Sequence, residues 1–257
     1  DKRLFMTATE RLLKPALKQR LAKEKRTVFS MDDETIYGKV FHRFNFGDAI
    51  RENVIADYQI IIAGIEESQL YDWIRNNKRI ESFDSNKNEY ETHADTLFKQ
   101  IVLSKVFNER PINKVFTFHS CLSNAKLFSG ERGQTKLSEI IIQSNKNISE
   151  PDLYVSHING QMNTANRKVK LDDFKSSKYG VISNVRCLGE GVNVPLVDAI
   201  YFVDPKESII DIVQACGRAL RKPRNIPVKT AYFILPTLVP DGVDNQEILN
   251  LEEFDAV

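Results

Sequence analysis

The chain has 257 residues, 42% hydrophobic and 28% charged, with a formal net charge of +1. That balance is ordinary for a globular protein of one or two domains, and it confines any nucleic-acid contact to local patches. Three scattered cysteines (Cys121, Cys187 and Cys216) and four histidines show no paired metal-ligand spacing. They argue against a disulfide framework or a zinc site.

The N-terminus "DKRLFMTATERL" has no signal-peptide core, and no apolar run approaches the roughly 20 residues of a membrane span. A cytoplasmic location is the expectation. The opening lacks an initiator Met and is read as a cut end, so the chain is expected to be a piece of a larger protein. "RLLKPALKQRLAKEKR" (11–26) carries seven basic residues against one acidic. It reads as a solvated helix face, with a path along DNA as the rival reading.

"DYQIIIAG" (57–64) reads as a fresh strand, so a domain boundary is placed near residue 56. Residues 66–100 are polar and are expected to form a helical excursion. Beyond them "KVFTFHS" (114–120), "LYVSHI" (153–158), "YGVISNV" (179–185), "AIYFVD" (199–204) and "KTAYFIL" (229–235) read as buried strands. Amphipathic stretches at 122–143, 161–175 and 207–222 separate them. The alternation predicts an α/β fold, a parallel sheet with helices on both faces. Ligands of such sheets bind at the carboxyl ends of strands, where His119 and Asn184 fall. Residues 241–257 read as an acidic tail or linker.

"DIVQACGRALRKP" (211–223) stands out within the last amphipathic stretch. At about 100° per residue, Arg218 lies roughly 40° from Gln214 and Arg221 roughly 20° to its other side. The spacing therefore predicts one exposed polar stripe. Ile209, Ile212, Cys216, Ala219 and Leu220 are predicted on the buried face. Ser208 and Asp211 give an S-x-x-D start and Pro223 a stop. Taken alone, such a stripe is a solvated cationic face.

Five stretches in order change that reading: "MTATE" (6–10), "FTFHS" (116–120), "HINGQMNTANR" (157–167), "SNVRCLGEGVNVP" (183–195) and "QACGRALR" (214–221). They resemble motif III, motif IV, the element before motif V, motif V and motif VI of superfamily 2 helicases and translocases. The likeness extends to the DEAD/DEAH-type ATPases of bacterial restriction–modification systems. There E-G-V-D-V-P is followed by a V-D-A strand, an aspartate–proline and Q-A-x-G-R-x-x-R. Family members usually carry Thr where this chain has Gly189 and Asp where it has Asn193; Asn keeps hydrogen bonding but lacks the charge.

The resemblance implies a RecA-like second motor lobe over 56–240, preceded in 1–55 by the end of the first lobe. It also implies ATP and Mg²⁺ as cofactors, held mainly by the first lobe. No G-x-x-x-x-G-K-[ST] occurs in the chain. "DDET" (32–35) follows the T-A-T motif instead of preceding it, so it is read as a solvated turn and not a Walker B box. The lobe alone is therefore expected to hydrolyse nothing.

By the same resemblance, Arg218 and Arg221 are finger arginines and Gln214 a γ-phosphate sensor. Gly189, Glu190, Gly191 and Asn193 form the nucleotide-facing loop. His119, Ser120, Asn184 and Arg186 would touch the nucleic-acid backbone, and Thr7 and Thr9 would couple nucleotide state to grip. Capping of a helix starting at Glu10 is the structural alternative for the two threonines. Implied partners are DNA, read without sequence preference, the first motor lobe, and nuclease or methyltransferase domains; no membrane and no protein-bound metal of its own is expected. The rival from another class is a non-catalytic nucleic-acid-binding module of the same fold. An unrelated doubly wound small-molecule enzyme would need a nucleophile or dinucleotide fingerprint, and neither is found.

Overall fold

The computed structural model describes residues 3–7, 10, 12–13, 15–24, 29–77, 87–132, 135–185, 197–206, 208–222 and 229–242. The chain divides into two compact units, Asp1–Glu52 and Asn53–Val257.

Among its described residues the first unit holds three short helices: α1 (Pro15–Lys23), α2 (Glu34–Tyr37) and α3 (Phe46–Arg51). α1 buries none of its residues, which agrees with a solvated basic face. It starts at Pro15 and not at Glu10, because proline is accommodated in a first turn and obstructs a helix running through it. The "DDET" stretch forms a turn and cap. Asp33 caps α2 by accepting from the Thr35 N–H at 3.0 Å, and the Asp32 carboxylate pairs with Lys18. Both carboxylates are thus committed to local structure.

The second unit contains the expected sheet. Its strands are β1 (Asp57–Glu66), β2 (Lys114–Phe118), β3 (Leu153–Asn159), β4 (Tyr179–Val185), β5 (Ala199–Phe202) and β6 (Thr230–Val239). They pair in the order β1-β6-β5-β2-β4-β3, every neighbour parallel. Alternation along each strand divides two cores. Val115, Val181, Ala199, Tyr201, Tyr232 and Ile234 face one way, toward Leu70 of α4 (Glu67–Asn77), Leu97 of α5 (Lys87–Glu109), Phe128 of α6 (Leu122–Ser129) and Ile140 of α7 (Leu137–Ser144). Phe116, Phe118, Ile182, Ile200, Phe202 and Phe233 face the other way, toward Leu171 and Phe174 of α8 (Thr164–Ser176) and Ala215 and Ala219 of α9 (Ile209–Ala219). The strands read as near-continuous apolar runs because both faces are covered.

Three elements differ from expectation. The 122–143 stretch is two helices, since Gly130 takes φ 84° and ends α6 with a left-handed cap that only glycine adopts cheaply. The polar excursion extends to Glu109, and the end of α5 buries Val102, Leu103, Val106 and Phe107. β6 runs on through Pro236. The Tyr232 N–H donates toward β5, to the Asp198 carbonyl at 2.9 Å, so every second residue of β6 points that way. β5 pairing ends at Ile234, and the proline therefore lacks an N–H only where no strand waits for one.

At Gly180, on β4, a Cβ would lie 2.6 Å from Cδ2 of the buried Phe174 ring. Gly180→Ala is expected to destabilise the second unit by about 1–3 kcal/mol through overpacking, read by urea unfolding of the 257-residue chain. Phe174→Leu in the same background should recover part of that loss.

Candidate functional site

The carboxyl ends of β2, β4 and β5 bring His119, Ser120, Asn184 and Asp204 to one end of the sheet. The backbone pairing of β2 and β4 continues one step past the strand, with the His119 N–H donating to the Asn184 carbonyl at 3.0 Å. His119 and Asn184 are each only 1% exposed, whereas Ser120 is exposed. Of the three described residues assigned to the nucleic-acid backbone, only Ser120 presents itself at the surface. The two others are enclosed because the strands end beneath the neighbouring packing: the His119 ring lies 5.1 Å from that of Phe128.

His119 Nε2 pairs with Thr117 Oγ1 at 2.8 Å, and Thr117 donates onward to Ser183 Oγ at 3.2 Å. That chain assigns the proton to Nε2. Burial pushes the imidazole pKa down to about 4, and the charges of Lys99 and Lys206 add to it against the opposing pull of Asp204. The ring is therefore neutral at physiological pH.

Asp204 is the residue that organises this end, and sequence reasoning left it out. Its Oδ2 accepts from the Ser120 N–H and from Ser120 Oγ, both at 2.7 Å, and from Asn124 Nδ2 at 3.4 Å. Its Oδ1 meets Lys99 Nζ at 3.4 Å, and Lys99 also pairs with Asp95 at 2.7 Å. α6 begins at Cys121 without a side-chain cap of its own. The Asp204 carboxylate supplies charge there from the bend after β5, where the helix dipole favours an anion. Burial works to raise the Asp204 pKa, but the two Ser120 hydrogen bonds and the charge of Lys99 oppose it, and the group is held below its ordinary value. Asp95, Lys99, His119, Asn124 and Asp204 line a polar cavity of ≈ 30 Å³. The signal for Asp204 was present: a polar residue closing a predicted strand, the same criterion that picked out His119. Lys99 gave none, since its partner stands 105 residues away.

α9 departs from the single exposed stripe. Ser208 caps it, accepting from the Asp211 N–H at 3.3 Å; Cys216, Ala219 and Leu220 are buried as expected, Ala215 is buried beside them, and Ile212 is half-buried. Gln214 is exposed, but Arg218 is 7% exposed, in the last turn. The helix ends at Ala219, so Arg221 lies on the segment beyond it and is exposed there. The 3.6-residue projection fails at 221 because the helix stops before that residue. The Ile209 side chain, and Arg186, Gly189, Glu190, Gly191 and Asn193, lie outside the described residues, as does Thr9; Thr7 is exposed in the first unit.

Among the described residues, no three His, Cys, Asp or Glu side chains come together as metal ligands, and no helix is long and apolar enough to cross a membrane.

A six-stranded parallel sheet covered on both faces, with its polar groups gathered at the carboxyl ends of the strands, defines a RecA-like α/β lobe. Residues 99–223 match the family described as the helicase conserved C-terminal domain. This segment is thus similar to the C-terminal lobe of superfamily 2 helicases. The chain is 26% identical over 263 residues to "Probable helicase A859L" of African swine fever virus (isolate Tick/Malawi/Lil 20-1/1983), which covers 99% of this chain and 24% of that protein. The Badajoz 1971 strain's protein of the same name is 25% identical over 261 residues, again 99% of this chain and 24% of the relative. Among solved structures, the ATP-dependent Type ISP restriction-modification enzyme LlaBIII bound to DNA is similar with a TM-score of 0.65 and 27% identity. That likeness covers 84% of this chain and 14% of the enzyme. The chain thus spans about a quarter of the curated relatives it matches.

The imidazole's lowered pKa has a consequence for stability. Between the ordinary His pKa of 6.5 and about 4, the unfolded chain binds a proton that folded His119 refuses. Stability contributed by neutral His119 is complete above 6.5 and is lost as pH falls toward 4. The melting temperature should drop across this window by visibly more in the wild type than in His119→Gln, measured by circular dichroism at pH 7.5 and 4.5.

Proposed function

We propose that this chain is the second motor lobe, preceded in 1–55 by the end of the first, of an ATP-dependent superfamily 2 translocase or helicase acting on DNA. A restriction–modification or related defence enzyme is the setting we infer, on the likeness to LlaBIII, an enzyme of that class described as bound to DNA. The observation that carries the reading is the exposure of Gln214 on α9 and of Arg221 just past its end, inside the segment matching the helicase C-terminal domain.

The described residues fit a half-site for nucleotide. They offer an exposed amide and guanidinium, and the chain contains no phosphate-binding loop sequence. ATP with Mg²⁺ supplies a phosphoryl group whose transfer to water needs positioning and charge stabilisation more than covalent chemistry. Arg221 is suited to stabilising that charge, because its guanidinium is planar, always protonated and matched to phosphate oxygens. Gln214, exposed in the middle of α9, can donate or accept. Arg218, being buried, is assigned to supporting the last turn of α9 beneath them. Gly189 and Gly191 would let the motif V backbone approach a ligand closely, with Asn193 reaching for a ribose and Glu190 coupling to α9. Ser120, held by Asp204, would touch a nucleic-acid phosphate, and Arg186 would act alongside; such contacts position without reading sequence. Thr7 and Thr9 are assigned to coupling between the lobes.

In the longer protein that contains this chain, Arg221→Ala is expected to cut DNA-stimulated ATP hydrolysis by roughly 10³–10⁵-fold while nucleotide binding persists. Arg221→Lys should rescue little, because an ammonium lacks the fork. The 257-residue chain by itself should show no turnover above background. Steady-state ATPase, a nucleotide titration and a melting curve on each variant test this together. Wild-type turnover in Arg221→Ala would reduce the 214–221 stretch to a structural helix face, and absence of any DNA-stimulated turnover in the wild-type longer protein would favour a non-catalytic binding module.

A further inference from the structure

Helix α9 ends without the glycine that usually closes a helix, so its last carbonyls need other donors. They find them outside the helix. The Ala56 N–H donates to the Leu220 carbonyl at 2.8 Å. Lys229, eight residues past Arg221 and just before β6, takes the two carbonyls on either side of it. Its Nζ donates to the Ala219 carbonyl at 2.7 Å and to the Arg221 carbonyl at 3.1 Å. A third bond, at 2.6 Å, goes to the carbonyl of Val197. Val197 is fully buried and lies two residues past the stretch that resembles motif V (183–195).

One ammonium thus donates to three carbonyls from two chain segments, as many as it has protons. An ammonium at a helix C-terminus also meets the negative end of the helix dipole. We propose that Lys229 is a positioning residue that ties the exit of motif V to the end of motif VI and fixes the backbone from which Arg221 projects. The inference rests on the catalytic reading of Arg221 given above. It explains how an arginine lying beyond the end of its helix is held: the peptide carbonyl of Arg221 is itself bonded to Lys229. Misplacing a group by about 1 Å costs on the order of 100-fold in rate, so a tie of this kind bears directly on turnover.

The surroundings of Lys229 make the tie sensitive to pH. Burial pushes its pKa down to about 8, against the opposing charge of Asp198. Asp198 lies between Lys229 and Lys114, and accepts the N–H groups of Asn113 and Lys114 at 2.9 Å each. Lys114 is likewise pushed down to about 8 by burial, and its ammonium is bonded to the Phe174 and Ser177 carbonyls. Of the charged residues at the end of α9, Arg218 is buried, Arg221 is exposed and Lys222 donates to Asn53. Neutral Lys229 has only two protons for three carbonyls, so the tie weakens as pH rises through 8.

The test compares Lys229→Met, Lys229→Arg and Arg221→Ala in the longer protein, by ATPase kinetics from pH 6.5 to 9.5 with melting curves beside them. Lys229→Met should lower kcat by on the order of 10–100-fold with KM for ATP within about twofold. Lys229→Arg should keep most of the activity and carry the alkaline limb of the profile upward from about pH 8, because its charge does not titrate there. If Lys229→Met does not fold, the profile of Lys229→Arg decides. A limb that stays in place in Lys229→Arg belongs to Lys114 or another group and overturns the proposal. So does a folded Lys229→Met with unchanged kcat. A silent Arg221→Ala sinks the catalytic reading instead. The tie is then read in the 257-residue chain as faster hydrogen exchange at Leu220–Lys222 in Lys229→Met, and unchanged exchange there rejects it.

Discussion

Burial of the parallel sheet on both faces is the constraint on which the rest of this structure depends. Each strand must satisfy two apolar layers at once, so successive residues are committed in turn to opposite cores. A charged group in the middle of β2 or β5 would have no water and no partner, at a cost of several kcal/mol. Polar chemistry is thereby driven to the strand ends. At the carboxyl ends it collects as His119, Ser120, Asn184 and Asp204. At the amino ends it collects as Lys114, Asp198 and Lys229.

The two ends use charge differently. At the carboxyl end, one carboxylate accepts hydrogen bonds from Ser120 and Asn124 and is balanced by Lys99, leaving Ser120 exposed at the start of α6. At the amino end, an ammonium donates to backbone carbonyls that a truncated helix leaves over. In both places a partly buried charge is kept by the polar groups it meets: Asp204 by Ser120, Asn124 and Lys99, and Lys229 by three peptide carbonyls. Such groups are costly to leave unmet, so removing the charge does more harm than the pair itself contributes. In this way a lobe with little covalent chemistry of its own can hold surface residues at fixed positions.

The helix carrying Gln214 joins these ends. Its apolar side is anchored by Ala215, Cys216, Ala219 and Leu220 against the Phe116 and Phe233 face of the sheet. Its exposed side is short, because the regular turn stops at Ala219. The residues just beyond that stop are held by bonds from Ala56 and Lys229, and Arg221 stands among them. Rigid support under an exposed arginine is what the proposed role of Arg221 would require, since a loosely held charge would have to be ordered during each turnover.

The sequence by itself determined all six strands, the parallel alternation, the helix start at Ser208 and the buried side of α9. These depend on local period and cap chemistry, which a one-dimensional pattern carries. It also placed His119 and Asn184 at strand ends. Tertiary structure decided what those ends are for. It enclosed His119 and Asn184 and left Ser120 exposed, it buried Arg218, and it ended α9 before Arg221. It alone brought Asp204 to Ser120 across 84 residues and Lys99 to Asp204 across 105. Those pairings come from the strand order, which is set by the packing of two cores at once, and no local pattern in the chain encodes the meeting of residues so far apart.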